Sequence, residues 1–202
     1  MPIIFIPYGV ISMVILVQIY CGSIISIRSI TSKIVGEMVI IVFGLPGSGK
    51  SYFASRLAAK LNGLYVSTDE LRLKLFPIRT YSDAEKLEVY DAMLNIMSDA
   101  VPEQKPIVLD GTFYKASLRN KFEQKVKELH EKIIYIEVTA PENSIEERLE
   151  KPRKNSEANF DVYLKLKQVT EPLFKEHLVL ISSNDNIDAM LREAIQYLDT
   201  YK

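Results

Sequence analysis

The chain of 202 residues has room for one globular domain with a sizeable core, and its 48% hydrophobic and 25% charged residues argue against disorder. A formal net charge of −1 gives no general electrostatic reason to bind nucleic acid, although a local basic face could still do so. One cysteine excludes an internal disulfide, and two histidines without a second cysteine exclude an ordinary zinc site. Any chemistry must therefore come from other residue types.

Residues 1–37 differ in composition from the rest of the chain. The stretch 3–27 contains no charged residue and is long enough to span the ~30 Å hydrocarbon core of a bilayer. Arg28 and Lys33 would then hold the following domain on the cytoplasmic side. Alternatively, translation starts at Met38 and the first 37 residues are upstream sequence. Both interpretations stay open, so a membrane is expected as a partner only through residues 1–37, and a cytoplasmic catalytic domain is expected at 38–202.

From Met38 onward, short apolar runs alternate with amphipathic stretches, which predicts an α/β fold with a mainly parallel sheet. The predicted strands are 39–43, 64–67, 107–109, 133–138 and 178–181. The predicted helices are 51–61, 70–75, 84–101, 116–131, 144–150 and 187–201.

Residues 44–51 read Gly-Leu-Pro-Gly-Ser-Gly-Lys-Ser and match the phosphate-loop pattern G-x-x-x-x-G-K-[ST] between a predicted strand and a predicted helix. The glycines let successive N–H groups point inward, and the helix adds its positive N-terminal dipole. Lys50 is predicted to reach the β- and γ-phosphates in a catalytic role, and Ser51 to ligate Mg²⁺. The predicted nucleotide-binding residues are Gly44, Leu45, Pro46, Gly47, Ser48, Gly49, Lys50, Ser51 and Tyr52.

Asp69 follows the second predicted strand at its C-terminal end, where α/β sheets bind their ligands. Its carboxylate could orient an acceptor hydroxyl or accept its proton, and Arg72, one helical turn later, could hold a polar or anionic group of the acceptor. The alternative is structural. Ser67 and Glu70 have the spacing of a capping box, and Asp69 and Arg72 have the spacing of an ordinary i,i+3 ion pair.

Asp110 ends the third predicted strand and fits the acidic residue that helps to hold Mg²⁺ in phosphate-loop proteins. The alternative is a strand-end turn with Gly111. Thr112 and Arg119 follow within reach of the same sheet edge and could contact the substrate. Arg119, however, lies in a lysine-rich helical stretch that resembles a solvated face.

Residues 148–159 are polar and interrupted by Pro152, which favours a mobile flap. Arg148 or Arg153, brought down by such a lid, would stabilise the charge on a transferring phosphoryl group. The alternative is a solvated helix end whose arginines pair with neighbouring glutamates.

Together, the loop 44–51, the stretch 68–72, the stretch 109–113 followed by Arg119, and the segment 148–159 resemble one group of small kinases. These are kinases with AAA-type ATP-binding domains, related to polynucleotide kinase, zeta toxin, gluconate kinase and the kinase that acts on seryl-tRNA. The resemblance covers residues 39–181. It implies a P-loop NTPase three-layer α/β/α sandwich with a mainly parallel five-stranded sheet and a small lid, with ATP and Mg²⁺ as ligands. It also implies that an aspartate such as Asp69 acts on the acceptor hydroxyl and an arginine such as Arg153 belongs to the lid.

The function expected from these features is ATP-dependent transfer of the γ-phosphoryl group to a hydroxyl of a small metabolite or a nucleotide-like acceptor. Two alternatives stay open. The first is a kinase of nucleic-acid ends or of a charged tRNA, which would need a basic face beside Asp69. The second is a regulatory P-loop ATPase without an acceptor, in which Asp69 only caps a helix.

Overall fold

The computed structural model describes residues 38–151 and 157–201. The expected N-terminal anchor and the predicted lid arginine Arg153 lie outside these ranges. Among the described residues, no helix combines the length and the apolar character needed to cross a membrane.

Five strands form one sheet in the order β2-β3-β1-β4-β5, and every neighbouring pair is parallel. The strands are β1 (Met38–Phe43), β2 (Leu64–Ser67), β3 (Ile107–Asp110), β4 (Lys132–Thr139) and β5 (Leu178–Ile181). The predicted mainly parallel five-stranded sheet is therefore confirmed, with strand bounds that differ by one residue at most.

The helices are α1 (Lys50–Leu61), α2 (Thr68–Leu75), α3 (Asp83–Ala100), α4 (Ala116–Glu128), α5 (Glu142–Glu150), α6 (Phe160–Val169) and α7 (Ile187–Asp199), with a 3₁₀ turn at Val101–Glu103. The prediction that the fourth of these helices continues to residue 131 is wrong, because the chain leaves the helix at Leu129 and His130 has a left-handed φ of 60°. Helix α6 was not predicted. Its start nevertheless carries a signal, since the side chain of Asn159 caps it by accepting a hydrogen bond from the backbone N–H of Val162 at 3.0 Å.

Both faces of the sheet are covered, which explains why β1 is apolar at every position. All six residues of β1 are buried. Val39 and Ile41 pack with residues of α3 and α4, including Met93 and Phe122, whereas Ile40 and Val42 pack with α1 and α7 on the opposite face. A strand buried on two sides shows no polar alternation. The predicted three-layer α/β/α arrangement is thus confirmed.

Replacing Phe122 measures how much the core that α3 and α4 form with the sheet contributes to stability. Its side chain is fully buried and packs edge-to-face against Phe113, with 5.2 Å between the ring centroids. We expect Phe122→Ala to lower the free energy of unfolding by about 3–5 kcal/mol, because it leaves a cavity in a packed core. Urea unfolding followed by circular dichroism measures this change.

The matched control is Phe174→Ala, which removes the same side chain from a position that is 93% exposed. Its effect should stay within about 0.5 kcal/mol. Equal losses at the two positions would contradict this description of the core.

Candidate active site

The chain segments that the sequence predicted to form the site lie together at the C-terminal edge of the sheet. The phosphate loop follows β1, Asp69 lies two residues beyond β2, and Asp110 ends β3. Asp110 is also the register partner of Val42 on one side and of Ser67 on the other. Because parallel strands end at the same edge, residues that are more than 60 positions apart in sequence meet at one site.

The backbone of the phosphate loop requires its glycines. Gly44, Gly47 and Gly49 have positive φ values of 147°, 82° and 91°. A Cβ atom on Gly44 would lie 2.2 Å from the carbonyl oxygen of Val138, so no larger residue fits there. Gly49 precedes α1 and supplies no side-chain cap. The first N–H groups of α1 are therefore left for an anion such as a nucleotide phosphate.

Ser182, which follows β5, and Arg148 of α5 hold this loop through hydrogen bonds. The hydroxyl of Ser182 donates to the carbonyl of Ser48 at 2.5 Å, and Arg148 Nη1 donates to Ser182 Oγ at 2.8 Å and to the carbonyl of Gly47 at 3.3 Å. Arg148 Nη2 donates to Asn184 Oδ1 at 3.2 Å. Sequence analysis proposed Arg148 as a candidate lid arginine, and the structure places it directly on the phosphate loop. It did not select Ser182, whose only signal is its position just after β5.

One cavity of about 520 Å³ lies beside the loop, and we call it the donor cavity. Its walls come from the loop, the start of α1, Arg148 and the segment after β5. The lining includes Gly47, Gly49, Lys50, Ser51, Tyr52, Arg148, Ser183 and Asn184.

The other predicted nucleotide-binding residues lie outside the lining of the donor cavity. The side chain of Leu45 packs with Ile145 and Leu149 of α5. Gly44 and Ser48 are buried within the loop, and the Ser48 hydroxyl has no partner in the described part of the chain. Pro46 lines a different cavity.

That second cavity, of about 450 Å³, is called here the acceptor cleft. Lys50 lines it as well as the donor cavity. The structure brings the predicted residues Asp69, Arg72 and Thr112 together in this cleft, and adds others that sequence reasoning missed. The added residues include Tyr81, Tyr90, Tyr114, Glu157 and Lys165.

Two contacts of the structural alternative for Asp69 are not formed, although Asp69 does lie in the first turn of α2. Ser67 occupies the N-cap position of α2 but its side chain makes no capping hydrogen bond. Arg72 forms its ion pair with Glu85 of α3, at 2.5 Å, rather than with Asp69. The half-buried Asp69 carboxylate therefore lines the cleft without the cap or the ion pair that would have explained it.

Glu85 holds Arg72 in the wall of the cleft. Its Oε1 accepts from Arg72 Nη1, while its Oε2 accepts from Thr80 N at 2.6 Å and from Tyr81 N at 3.0 Å. Burial raises the pKa of Glu85, but the hydrogen bonds from Arg72, Thr80 and Tyr81 outweigh burial and hold this pKa at about 2. Arg72 keeps one buried donor, Nε, without a partner among the described residues.

Asp110 is buried and uses only one of its two carboxylate oxygens. Its Oδ2 accepts a hydrogen bond from the Tyr65 hydroxyl at 2.9 Å, whereas Oδ1 is buried with no partner in the described ranges. Burial raises the pKa of Asp110, and the charge of Lys50 together with the hydrogen bond from Tyr65 acts against this rise. An unpartnered buried carboxylate oxygen is costly unless a ligand such as a cation completes it.

These features fit Mg²⁺ better than a metal held by protein alone. In the parts of the chain that the structure describes, no group of three or more His, Cys, Asp or Glu side chains could hold a metal ion. Magnesium is typically bound by one or two protein oxygens, with phosphate and water completing the shell. Ser51 and Asp110 could provide those two oxygens.

Arg119 is not placed in the cleft, although sequence analysis offered it as a substrate contact. Arg119 is buried, so the interpretation that it belongs to a solvated face is wrong. Its guanidinium donates to the backbone carbonyls of Phe113 at 2.7 Å and of Glu171 and Pro172, both at 3.0 Å. The structure therefore uses Arg119 to join the loop after β3 to the segment after α6.

A model of the family described as "AAA domain" matches residues 39–173. The chain belongs to this family. The resemblance found in the sequence is thereby confirmed at the level of the family. No curated protein sequence shows a significant match to the chain.

Several solved structures are similar to this one. A gluconokinase from Sinorhizobium meliloti 1021 is 17% identical, with a TM-score of 0.63 over 83% of this chain and 94% of that one. The APS kinase CysC of Mycobacterium tuberculosis is 20% identical, with a TM-score of 0.61 over 80% and 97% of the two chains. Kti12 from Chaetomium thermophilum is 20% identical, with a TM-score of 0.60 over 79% and 96%. At these identities the likeness establishes the fold, and the predicted P-loop NTPase fold is confirmed.

The Arg72–Glu85 pair makes stability depend on pH. Because the pKa of Glu85 in the folded protein, about 2, lies below the ordinary value of 4.5, its stabilising contribution is complete above that ordinary value and is lost as the pH falls toward 2. We expect Glu85→Gln to be less stable than the wild type at neutral pH, and the difference to shrink as the pH is lowered through this window. Urea midpoints measured over a pH series test this expectation.

Glu88→Gln is the matched control, because Glu88 is an exposed glutamate one turn further along α3. Its difference from the wild type should be small at every pH. If the difference in stability between Glu85→Gln and the wild type stays constant with pH, the ionised Glu85 carboxylate is not what stabilises this part of the cleft.

Proposed function

We propose that this protein is an ATP-dependent kinase that transfers the γ-phosphoryl group to a hydroxyl of a small metabolite or a nucleotide-like acceptor. The observation that carries the proposal is the position of Lys50, which lines both the donor cavity and the acceptor cleft. A cation shared by two adjoining cavities is suited to a group that passes from one to the other.

On the donor side, the loop N–H groups and Lys50 would bind the phosphates of ATP, and Ser51 with Asp110 would hold Mg²⁺. When bound, the metal would neutralise charge on the phosphate oxygens. Arg148 already contacts the carbonyl of Gly47 and would add positive charge beside the loop. Tyr52 lines the same cavity, with the guanidinium of Arg56 3.3 Å from its ring centroid. Use of ATP also supports a cytoplasmic location for this domain.

On the acceptor side, Asp69 would accept a hydrogen bond from the attacking hydroxyl and aim its oxygen at the γ-phosphorus. Its negative charge would also let it accept the proton of that hydroxyl, a role that an amide in its place could not take over. The guanidinium of Arg72 and the hydroxyl of Thr112, which line the cleft, could hold other polar groups of the acceptor. Thr112 Oγ1 itself lies 3.3 Å from the Tyr90 hydroxyl.

The size of the acceptor cleft supports a small acceptor. Its volume of about 450 Å³ falls within the usual range of roughly 300–1,000 Å³ for small-molecule sites. A second cavity beside the phosphate loop suits a kinase better than an ATPase that has no acceptor. Two proteins with the same fold, the gluconokinase and the APS kinase, are kinases by name, which is consistent with the proposal.

Asp69→Asn separates a kinase from an ATPase. We expect this variant to lose phosphotransfer by about 10²-fold or more, since a positioned carboxylate typically contributes 10²–10⁴-fold, while its affinity for ATP changes by less than about twofold. Lys50→Ala should lose phosphotransfer as well, because it removes the cation that both cavities share. The measurement is transfer from labelled ATP to a panel of sugars, nucleosides and amino-sugar nucleotides.

Asp99→Asn provides the matched control, since Asp99 is an exposed aspartate near the opposite end of α3 from the cleft. It should leave transfer unchanged. If no acceptor is phosphorylated and ATP hydrolysis is the same in the wild type and in Asp69→Asn, the ATPase alternative is the correct one.

A further inference from the structure

Tyr65 contacts Asp110, the carboxylate that we propose as a magnesium ligand, and it has no role in the proposed phosphotransfer. It is the second residue of β2, and its hydroxyl donates to Asp110 Oδ2 at 2.9 Å. Sequence reasoning gave Tyr65 only the role of a strand residue. It donates to a buried carboxylate whose other oxygen has no partner among the described residues.

The sheet register explains how Tyr65 reaches Asp110. Tyr65 is the register partner of Val108, and Ser67 is the register partner of Asp110. Alternate residues of a strand share a face, so these four side chains project from the same face of the sheet. Val108 and Tyr65 pack in the cluster that includes Phe53 of α1, the helix that begins at Lys50 and Ser51. The tyrosine hydroxyl therefore reaches Asp110 on the sheet face that α1, the helix after the phosphate loop, covers.

The hydrogen bond restricts how the carboxylate can rotate. The ring of Tyr65 is half-buried and packed against the core, so its hydroxyl has little freedom to follow a turning carboxylate. With Oδ2 bound, Oδ1 is the oxygen left without a partner among the described residues.

We infer that Tyr65 is a positioning residue of the magnesium site, which holds Asp110 by Oδ2 and leaves Oδ1 for the metal. This inference rests on the nucleotide and magnesium part of the proposed function, and it does not depend on which acceptor is used. Carboxylates that bind metals are commonly oriented by such outer partners, and removal of one typically weakens metal binding by about 10–100-fold.

The test uses Tyr65→Phe, which removes one oxygen atom and keeps the ring that packs in the core. Binding of Mn²⁺ to the full chain with saturating ADP, followed by electron paramagnetic resonance, reports on the metal site without any acceptor. We expect the dissociation constant of Mn²⁺ to rise about tenfold or more. The affinity for ADP in the presence of EDTA should change by less than about twofold, because the phosphate loop itself is unaltered.

Tyr135→Phe is the matched control. Tyr135 also donates to a carboxylate, Glu123 Oε1, at the same distance of 2.9 Å, but its partner lies on α4, the helix on the other face of the sheet. This variant should lose stability by a similar amount and keep the Mn²⁺ affinity of the wild type.

A double-mutant cycle with Asp110→Asn shows whether Tyr65 acts through the carboxylate. If it does, Tyr65→Phe has little further effect on Mn²⁺ affinity once Asp110 is replaced. The inference is overturned if Tyr65→Phe leaves Mn²⁺ affinity unchanged, if metal-free ADP binding weakens by the same factor, or if the effect persists in the Asp110→Asn background.

If the proposed kinase activity is wrong but the role of Tyr65 is right, the experiments give a different result. A protein that phosphorylates no acceptor, yet loses Mn²⁺ affinity in Tyr65→Phe, would support the positioning role and exclude the kinase activity.

Discussion

The parallel pairing of β1 with β3 and β4 is the constraint on which the rest of the structure depends. It buries all six residues of β1 between two helical layers, and it brings the C-terminal end of β1 beside that of β3. The phosphate loop leaves the first of these ends, and Asp110 stands at the second. A parallel sheet needs helical crossovers, and those crossovers return each strand in the same direction. The phosphate loop and the Asp110 carboxylate are therefore neighbours because of sheet topology rather than because of any direct attraction between them.

Polar groups at this edge are arranged by a second set of interactions, each of which leaves one buried polar atom without a partner in the described ranges. Tyr65 occupies Asp110 Oδ2 and leaves Oδ1 without a partner, while Glu85 occupies Arg72 Nη1 and leaves Nε without one in the described ranges. In both cases a buried ionisable side chain is held by hydrogen bonds, which limits the cost of its burial. Groups held in this way need little reorganisation when a charged ligand arrives, and such preorganisation is the main source of electrostatic catalysis.

Arginines at the site illustrate how differently one residue type can be used. Arg148 contacts the phosphate loop through the carbonyl of Gly47, and Arg72 stands in the wall of the acceptor cleft. Arg119 donates its hydrogen bonds to three backbone carbonyls and so joins two loops. A planar guanidinium with five donors is suited to all of these tasks, so the residue type alone does not distinguish them.

The sequence by itself determined the α/β class, the strands to within a residue and the phosphate loop, because each depends on local signals. An apolar run, a glycine pattern followed by Lys50 and Ser51, and an aspartate at a strand end can all be read within a few residues. It also placed Asp69, Arg72 and Thr112 at the correct edge. Only the tertiary structure decided which partner each of them has. Arg72 pairs with Glu85, 13 residues away, and Tyr65 binds Asp110, 45 residues away. Such partners depend on strand register and helix packing, which bring together residues that carry no local signal of one another.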